Sequence, residues 1–280
     1  MNGRMGPVAV AGAERCEEEE QQQEKKQEEE GMGESARGGQ RSLLEMLKKG
    51  GESGEWAMMK EVDLSSSSLN FSDVRLVANF LLKRPNRVSS LRLSDNLLGD
   101  EGSELLGILL DELDISVLDI SNNEFTTRGL RAIARQACKL ESLSVGGNDL
   151  SDAGEELVEL IRRNKNLRHL DMSNIGLDAP DVKRIAEAVR DASSLSSLVL
   201  DDNDCAAAME LLGGCESLTY LSIRNAGLDD ASCLLLCRQI AMGGRRTLKL
   251  DCRGNRMCTD KSRSVMMGTE KLVKGFEFKI

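Results

Sequence analysis

The sequence predicts an α/β solenoid of about eight stacked units, with parallel strands along a concave face and helices along a convex one. Three observations carry this expectation. A leucine pattern returns eight times at near-constant spacing. Within each copy the apolar period changes from two to that of a helix. Aromatic residues make up only 2% of the 280 residues, so the core must be layered from aliphatic side chains.

The copies begin at Val62 (VDLSSSSL), Leu91 (LRLSDNLL), Leu118 (LDISNNEF), Leu143 (LSVGGNDL), Leu170 (LDMSNIGL), Leu198 (LVLDDNDC), Leu221 (LSIRNAGL) and Leu250 (LDCRGNRM). Self-similarity at a fixed step of this size marks a repeat architecture. The pattern L-x-L-x-x-N-x-L is a leucine-rich repeat. L-x-L has period two, so it reads as a short strand with both leucines on one face.

The turn that follows has backbone groups that no neighbouring strand satisfies. A buried asparagine can donate and accept there, coil after coil. This gives Asn96, Asn123, Asn148, Asn203 and Asn255 a structural role at one phase. Next comes a helix, with Asp100, Thr127, Asp152 and Asp230 expected as its N-caps. Gly102, Gly129 and Gly154 are expected where the helix packs close to the strand layer. Apolar residues then recur at helical spacing, as in Leu106, Leu109 and Leu110. The copy at Leu198 is short, and CAAAMELLGG leaves room for only a stub of helix. No unit buries both apolar faces alone, whereas stacking buries them.

Unit length and the presence of a helix resemble the ribonuclease-inhibitor-like class of leucine-rich-repeat proteins, over roughly residues 60–260. The asparagine position reads Asn148, Ile175, Asn203, Ala226, Asn255, and that class alternates an asparagine repeat with a less polar one. The cysteine usual in the second type is replaced here by Ile175 and Ala226. The resemblance implies protein binding, since its members include inhibitors, innate-immune sensors and cytoskeletal or ciliary components. A full sensor is not expected, because no nucleotide-binding or death-fold region precedes the repeats.

Four segments are expected. Residues 1–40, with EEEEQQQEKKQEEE, read as a disordered acidic low-complexity tail. Residues 41–59 carry Leu43, Leu44, Met46, Leu47 and Trp56 and suit an N-terminal cap. Residues 60–260 form the repeat domain. Residues 261–280 form a C-terminal cap or tail, where Phe276, Phe278 and Ile280 alternate like a strand.

Composition sets several functions aside. The net charge of −10 argues against a non-specific nucleic-acid partner. No apolar stretch approaches the length of a membrane span, so no membrane partner is expected. The eight cysteines follow no signal peptide and are expected as free, mostly buried thiols of a cytoplasmic protein, with cytoskeletal or nuclear association open. Cys233, Cys237 and Cys252 lack the paired spacing of a metal site. DDNDC at 201–205 lacks the glycine and glutamate of a calcium loop. No phosphate-binding loop occurs. The lone His169 has no nucleophile at a recognisable spacing. The chain is therefore expected to be no enzyme, with no cofactor, no metal, no catalytic residue and no small-molecule substrate.

The expected function is that of a non-catalytic intracellular scaffold binding a protein through the concave face. Candidate contact residues are Arg92, Asp119, His169, Asp171, Asp201, Tyr220, Arg224, Lys249 and Arg253, read from the variable strand positions. Two alternatives stand beside it. One is a structural component of a cytoskeletal or ciliary assembly. The other is a GTPase regulator, because Leu91–Asn96 resembles a repeat of Ran GTPase-activating proteins. That resemblance covers one repeat, and the longer loop that carries the family's catalytic arginine has no counterpart between Leu64 and Leu91.

Overall fold

The computed structural model of the chain describes residues 59–83, 88–243, 247–255 and 259–279, together with Glu45. The expected tail and most of the expected N-terminal cap lie outside these residues. The chain divides into two units, Met1–Gly50 and Gly51–Ile280, and all described residues but one belong to the second.

Nine strands form one parallel sheet in chain order: β1 (Glu61–Asp63), β2 (Ser90–Arg92), β3 (Val117–Asp119), β4 (Ser142–Ser144), β5 (His169–Asp171), β6 (Ser197–Val199), β7 (Tyr220–Ser222), β8 (Leu248–Asp251) and β9 (Phe276–Lys279). The helices between them are α1 (Phe71–Leu82), α2 (Gly99–Glu112), α3 (Thr127–Ala134), α4 (Gly154–Arg163), α5 (Ala179–Asp191), α6 (Met209–Gly213), α7 (Asp230–Met242) and α8 (Asp260–Leu272). The register aligns the first leucine of every repeat, so that Leu91 pairs with Leu118, then Leu143, Leu170, Leu198, Leu221 and Leu250. All of these are buried, as are the second strand residues Leu64, Leu93, Ile120, Val145, Met172, Leu200, Ile223 and Cys252. The sheet continues beyond residue 260, since β9 pairs along its whole length with β8. The short repeat holds a single 3-10 turn, Ala206–Ala208, followed by the five-residue α6.

The asparagines close the turns by reaching back one repeat. Asn148 Oδ1 accepts the amides of Asn123 (2.9 Å) and Phe125 (3.0 Å), while its Nδ2 donates to the carbonyls of Ile120 and Val145. Asn96 serves Ser67, Leu69 and Leu64 in the same way, and Asn255 serves Ala226, Leu228 and Ile223. Asn203 accepts from Leu177 and donates to Met172. Asn123 is the exception. Its Nδ2 donates to Leu93, but its buried Oδ1 has no partner, because the Asn96, Leu97 and Gly99 amides bond to the Asn122, Leu69 and Asn123 carbonyls instead.

The residue before each ladder position has left-handed backbone: Ser66, Asp95, Asn122, Gly147, Asn174, Asp202, Asn225 and Gly254, with φ between 48° and 79°. Glycine, asparagine and aspartate bear that conformation at least cost. At Gly254 a second constraint applies, because a Cβ there would fall 2.0 Å from Asn225 Oδ1.

The helix N-caps correct the expectation from sequence. Thr126 and Asp229 cap α3 and α7, one residue before Thr127 and Asp230, and α4 begins after Ala153 rather than on an Asp152 cap. Asp100 lies inside α2. These displaced residues bond between repeats. Asp100 accepts from the Thr126 amide (2.9 Å) and hydroxyl (2.7 Å) and from the Gly129 amide. Asp230 accepts from the Thr259 amide and hydroxyl and from the Ser262 hydroxyl. Asp152 accepts from the Thr127 hydroxyl. The glycines follow the same logic. A Cβ at Gly129 would meet the Asp100 carboxylate, one at Gly154 the Asp181 carboxylate, and one at Gly102 its own helix at Leu98. Neighbouring helices, not the strand layer, demand small residues at Gly129 and Gly154.

Candidate interaction surface

Strand alternation turns two residues of each repeat to the open side of the sheet, flanking the buried first leucine. A third follows the second leucine. In-register pairing then makes three columns across the nine strands. The column before the leucine runs Glu61, Ser90, Val117, Ser142, His169, Ser197, Tyr220, Lys249, Glu277. The column after it runs Asp63, Arg92, Asp119, Ser144, Asp171, Val199, Ser222, Asp251, Lys279. The third holds Ser65, Ser94, Ser121, Gly146, Ser173, Asp201, Arg224 and Arg253.

His169, Tyr220, Lys249, Arg224 and Arg253 are exposed, and Arg92, Asp119 and Asp171 are half-buried. His169 and Tyr220 share one column with only Ser197 between them. That places two rings either side of a small side chain, roughly 10 Å apart at the spacing of parallel strands.

The acids fall into two kinds. Asp119 and Asp171 belong to Asp-x-Ser triplets. Asp171 Oδ1 accepts the Ser173 amide at 2.9 Å and its hydroxyl at 2.7 Å, and Asp119 Oδ1 accepts the same pair from Ser121. The Ser121 and Ser144 hydroxyls lie 3.1 Å apart, and the Ser144 hydroxyl donates to Asp171 Oδ2 at 3.4 Å, which links the two triplets. Neither carboxylate has a cationic partner among the described residues. Each keeps acceptor capacity on the open side.

Asp201 and Asp251 are the second kind, and here the structure corrects the sequence. Asp201 is 1% exposed. Its carboxylate accepts from the Ser222 hydroxyl (2.6 Å), the Arg224 amide (2.8 Å) and Arg224 Nε (2.7 Å). It is fully occupied and offers nothing to a partner. Asp251 accepts Arg253 Nε at 3.0 Å and Nη2 at 2.7 Å, and the guanidinium holds its carboxyl below the usual range despite the opposing effect of burial. The Asp201 carboxylate in turn raises the Arg224 guanidinium pKa. The last repeats thus present arginines whose charge is balanced from beneath. The middle repeats present carboxylates held by serines but matched by no described cation.

Arg92 sits 3.7 Å from Glu61, and Lys249 lies 3.7 Å from Glu277. Both pairs are exposed and are worth little on their own. Glu61, Ser90, Val117, Ser142, Ser197 and Glu277 complete the first column but were not among the candidates from sequence. The signal was present one position before each strand leucine. No group of three or more His, Cys, Asp or Glu among the described residues could hold a metal. No described helix is long and apolar enough to cross a membrane. None of the described cysteines is in a disulfide; Cys205, Cys215, Cys233, Cys237 and Cys252 are buried, and Cys138 is exposed.

Comparison with known proteins agrees with this architecture. A family described as Leucine Rich repeat matches residues 114–134 and 136–155. NACHT, LRR and PYD domains-containing protein 4C of Mus musculus is 25% identical over 65% of this chain and 20% of its own length. Ribonuclease inhibitor of Sus scrofa is 28% identical over 66% of this chain and 43% of its own length. The chain therefore spans less than half the length of these relatives. A chain of the yeast Rad7 and Elc1 complex aligns over 98% of this chain and 92% of its own, with a TM-score of 0.40 and 13% identity. Eight aligned repeat strands, a backward-reaching asparagine ladder and an outer helical layer form a leucine-rich-repeat solenoid, similar in sequence to ribonuclease inhibitor.

Proposed function

We propose that the chain is a non-catalytic intracellular scaffold that binds a protein partner through the concave, strand-lined face. Leucine-rich-repeat proteins generally mediate protein–protein interaction, and a ribonuclease inhibitor by its name acts on another protein. The observation that carries the reading is the in-register display of exposed, non-repeating side chains. His169, Tyr220 and Lys249 stand in one column, and Asp119 and Asp171 stand uncompensated in the next. Extended side chains on a rigid frame suit recognition of another surface. Tyr220 supplies the kind of aromatic anchor that dominates binding energy. Buried cysteines outside any disulfide suit a reducing compartment.

A second reading has its own observation. α7 exposes Leu234 (49%), Leu235 (39%) and Met242 (69%) on the helical face, as a structural part docked from that side would. Partner capture with two sets of variants separates the readings. Asp119→Lys with Asp171→Lys, or His169→Ala with Tyr220→Ala, should weaken capture by at least about tenfold if the concave face binds, with a cooperative melt retained. Capture equal to wild type in both sets, together with loss on Leu234→Ser/Leu235→Ser, gives the role to the helical face.

A further inference from the structure

Strand β9 lies at one end of the strand order, and no described residue pairs with its outer edge. The parallel ladder fixes which groups face that edge. The Leu248 and Cys252 amides donate to the Gly275 and Lys279 carbonyls, and Phe278 aligns with Leu250. In a parallel ladder alternate residues turn both backbone groups the same way. Glu277 and Lys279 therefore face β8, and Phe278 points its N–H and C=O outward. The Phe278 ring stacks on Phe276 with centroids 6.1 Å apart. Glu277 and Lys279, on the open face of the sheet, are both exposed. Helix α8, which flanks this edge, exposes Leu272 (81%) and Met267 (46%).

We propose that β9 pairs antiparallel with β9 of a second copy of the chain, centred on Phe278. In that register Phe278 and its counterpart exchange both N–H···O bonds. Glu277 then falls opposite Lys279 of the second copy, and Lys279 opposite Glu277 of the second copy. These are non-hydrogen-bonded positions, where side chains of an antiparallel pair come closest. The charge pattern is what selects a second copy as occupant. Glu-Phe-Lys is its own complement when reversed, while parallel pairing would set glutamate against glutamate and lysine against lysine. A two-fold axis through the Phe278 pair stands perpendicular to the sheet. Both α8 helices then lie on one side of it, and two nine-stranded sheets join as one. The contact is isologous, so it closes and does not propagate.

The test is the mass of the full 280-residue chain in solution, read by sedimentation equilibrium over a wide concentration range. The wild-type chain should move from one chain's mass toward two. Glu277→Lys alone, or Lys279→Glu alone, should weaken association at least about tenfold, because each places like charges opposite one another twice. The double variant E277K/K279E should restore it. Phe278→Pro removes the outward N–H donor, along with the ring that stacks on Phe276, and should abolish association, with a melting curve checking that the chain still folds. Exposed lysine on an edge strand also serves to prevent pairing. A chain that stays monomeric up to about 100 μM, above the range of weak specific association, would overturn the proposal. A dimer indifferent to both single charge swaps would overturn it too. Neither charge variant touches the core, so both fold, and melting curves verify this.

Discussion

Arg224 Nε donates at 2.7 Å to Asp201 Oδ2, joining an exposed guanidinium on the strand face to a carboxylate that has almost no solvent contact. The same carboxylate accepts the Ser222 hydroxyl and the Arg224 amide. The pair is thus a fastening between the repeats that begin at Leu198 and Leu221, and only incidentally a surface charge. Asp201→Ala strips acceptors from a buried hydroxyl and a backbone amide and should cost about 1–3 kcal/mol. Asp119→Ala, on the same face but half-buried and without a cationic partner, strips only the Ser121 amide and hydroxyl and should cost less, no more than about 1 kcal/mol. Denaturant melts decide this, and equal losses from both variants would contradict the distinction between ion-paired and unpaired acids.

The ladder yields a second contrast. Asn148→Ala leaves the amides of Asn123 and Phe125 and the carbonyl of Ile120 without partners inside the fold. The expected loss is about 1–3 kcal/mol. Ile175 stands at the same phase, is buried and is apolar. Ile175→Val removes one methylene and should cost about 0.5–1.5 kcal/mol. Two negligible effects in chemical denaturation would refute the phasing.

Acid sensitivity should appear at Asp230. The Ser262 hydroxyl, followed by the Thr259 amide and hydroxyl, brings its carboxyl from the usual value down to about 2. In the unfolded chain an aspartate titrates near 4, at about 3.9. A carboxyl whose folded pKa lies below its unfolded one adds stability above the unfolded value and loses it as pH falls through the folded value. The bond between α7 and the start of α8 should weaken between about pH 4 and pH 2. Asp230→Asn should flatten this part of the pH profile of thermal melting. An unchanged profile would show that the carboxylate does not couple the two repeats.

Thiol chemistry should divide by burial. Burial first, then the nearby Asp204 and Asp201 charges, pushes the Cys205 thiol up to about 12, so it holds almost no thiolate at neutral pH. Alkylation of the native protein followed by peptide mass analysis should mark Cys138 and spare Cys205, Cys215, Cys233, Cys237 and Cys252 until denaturant is added. Native labelling of Cys205 at the rate of Cys138 would place it outside the core.

Much of this architecture is legible in the sequence because L-x-L states its own period. Leu91, Leu118 and Leu143 share a register that can be read without coordinates. The asparagine positions are equally plain. The caps of α3 and α7 fall one residue before the expected position because Thr126-Thr127 and Asp229-Asp230 are doublets. Either member suits a cap, and only the neighbouring helix shows that the second Asp bonds across the seam. The fate of Asp201 was hidden for a similar reason. Whether an acid on a strand face is free or occupied depends on what the next repeat puts beside it, here Arg224. A one-dimensional reading sees positions, while charge compensation is settled between coils. The left-handed residue before each ladder position is also marked in the sequence, since Asp95, Asn122, Gly147, Asn174 and Asp202 are all types that bear positive φ.

The backward reach of the asparagines gives the molecule a direction. Asn148 belongs to one turn of the spiral and finishes the one before it. Asn96, Asn203 and Asn255 do the same. Damage on the inner rim is therefore displaced, and a lesion in one coil is felt one coil upstream. What passes intact from coil to coil is the joint and not the module. A cut placed between two motifs leaves the earlier one open, while a cut that keeps an asparagine with the turn it closes preserves both. Any shuffling or shortening of this chain has to respect those joints.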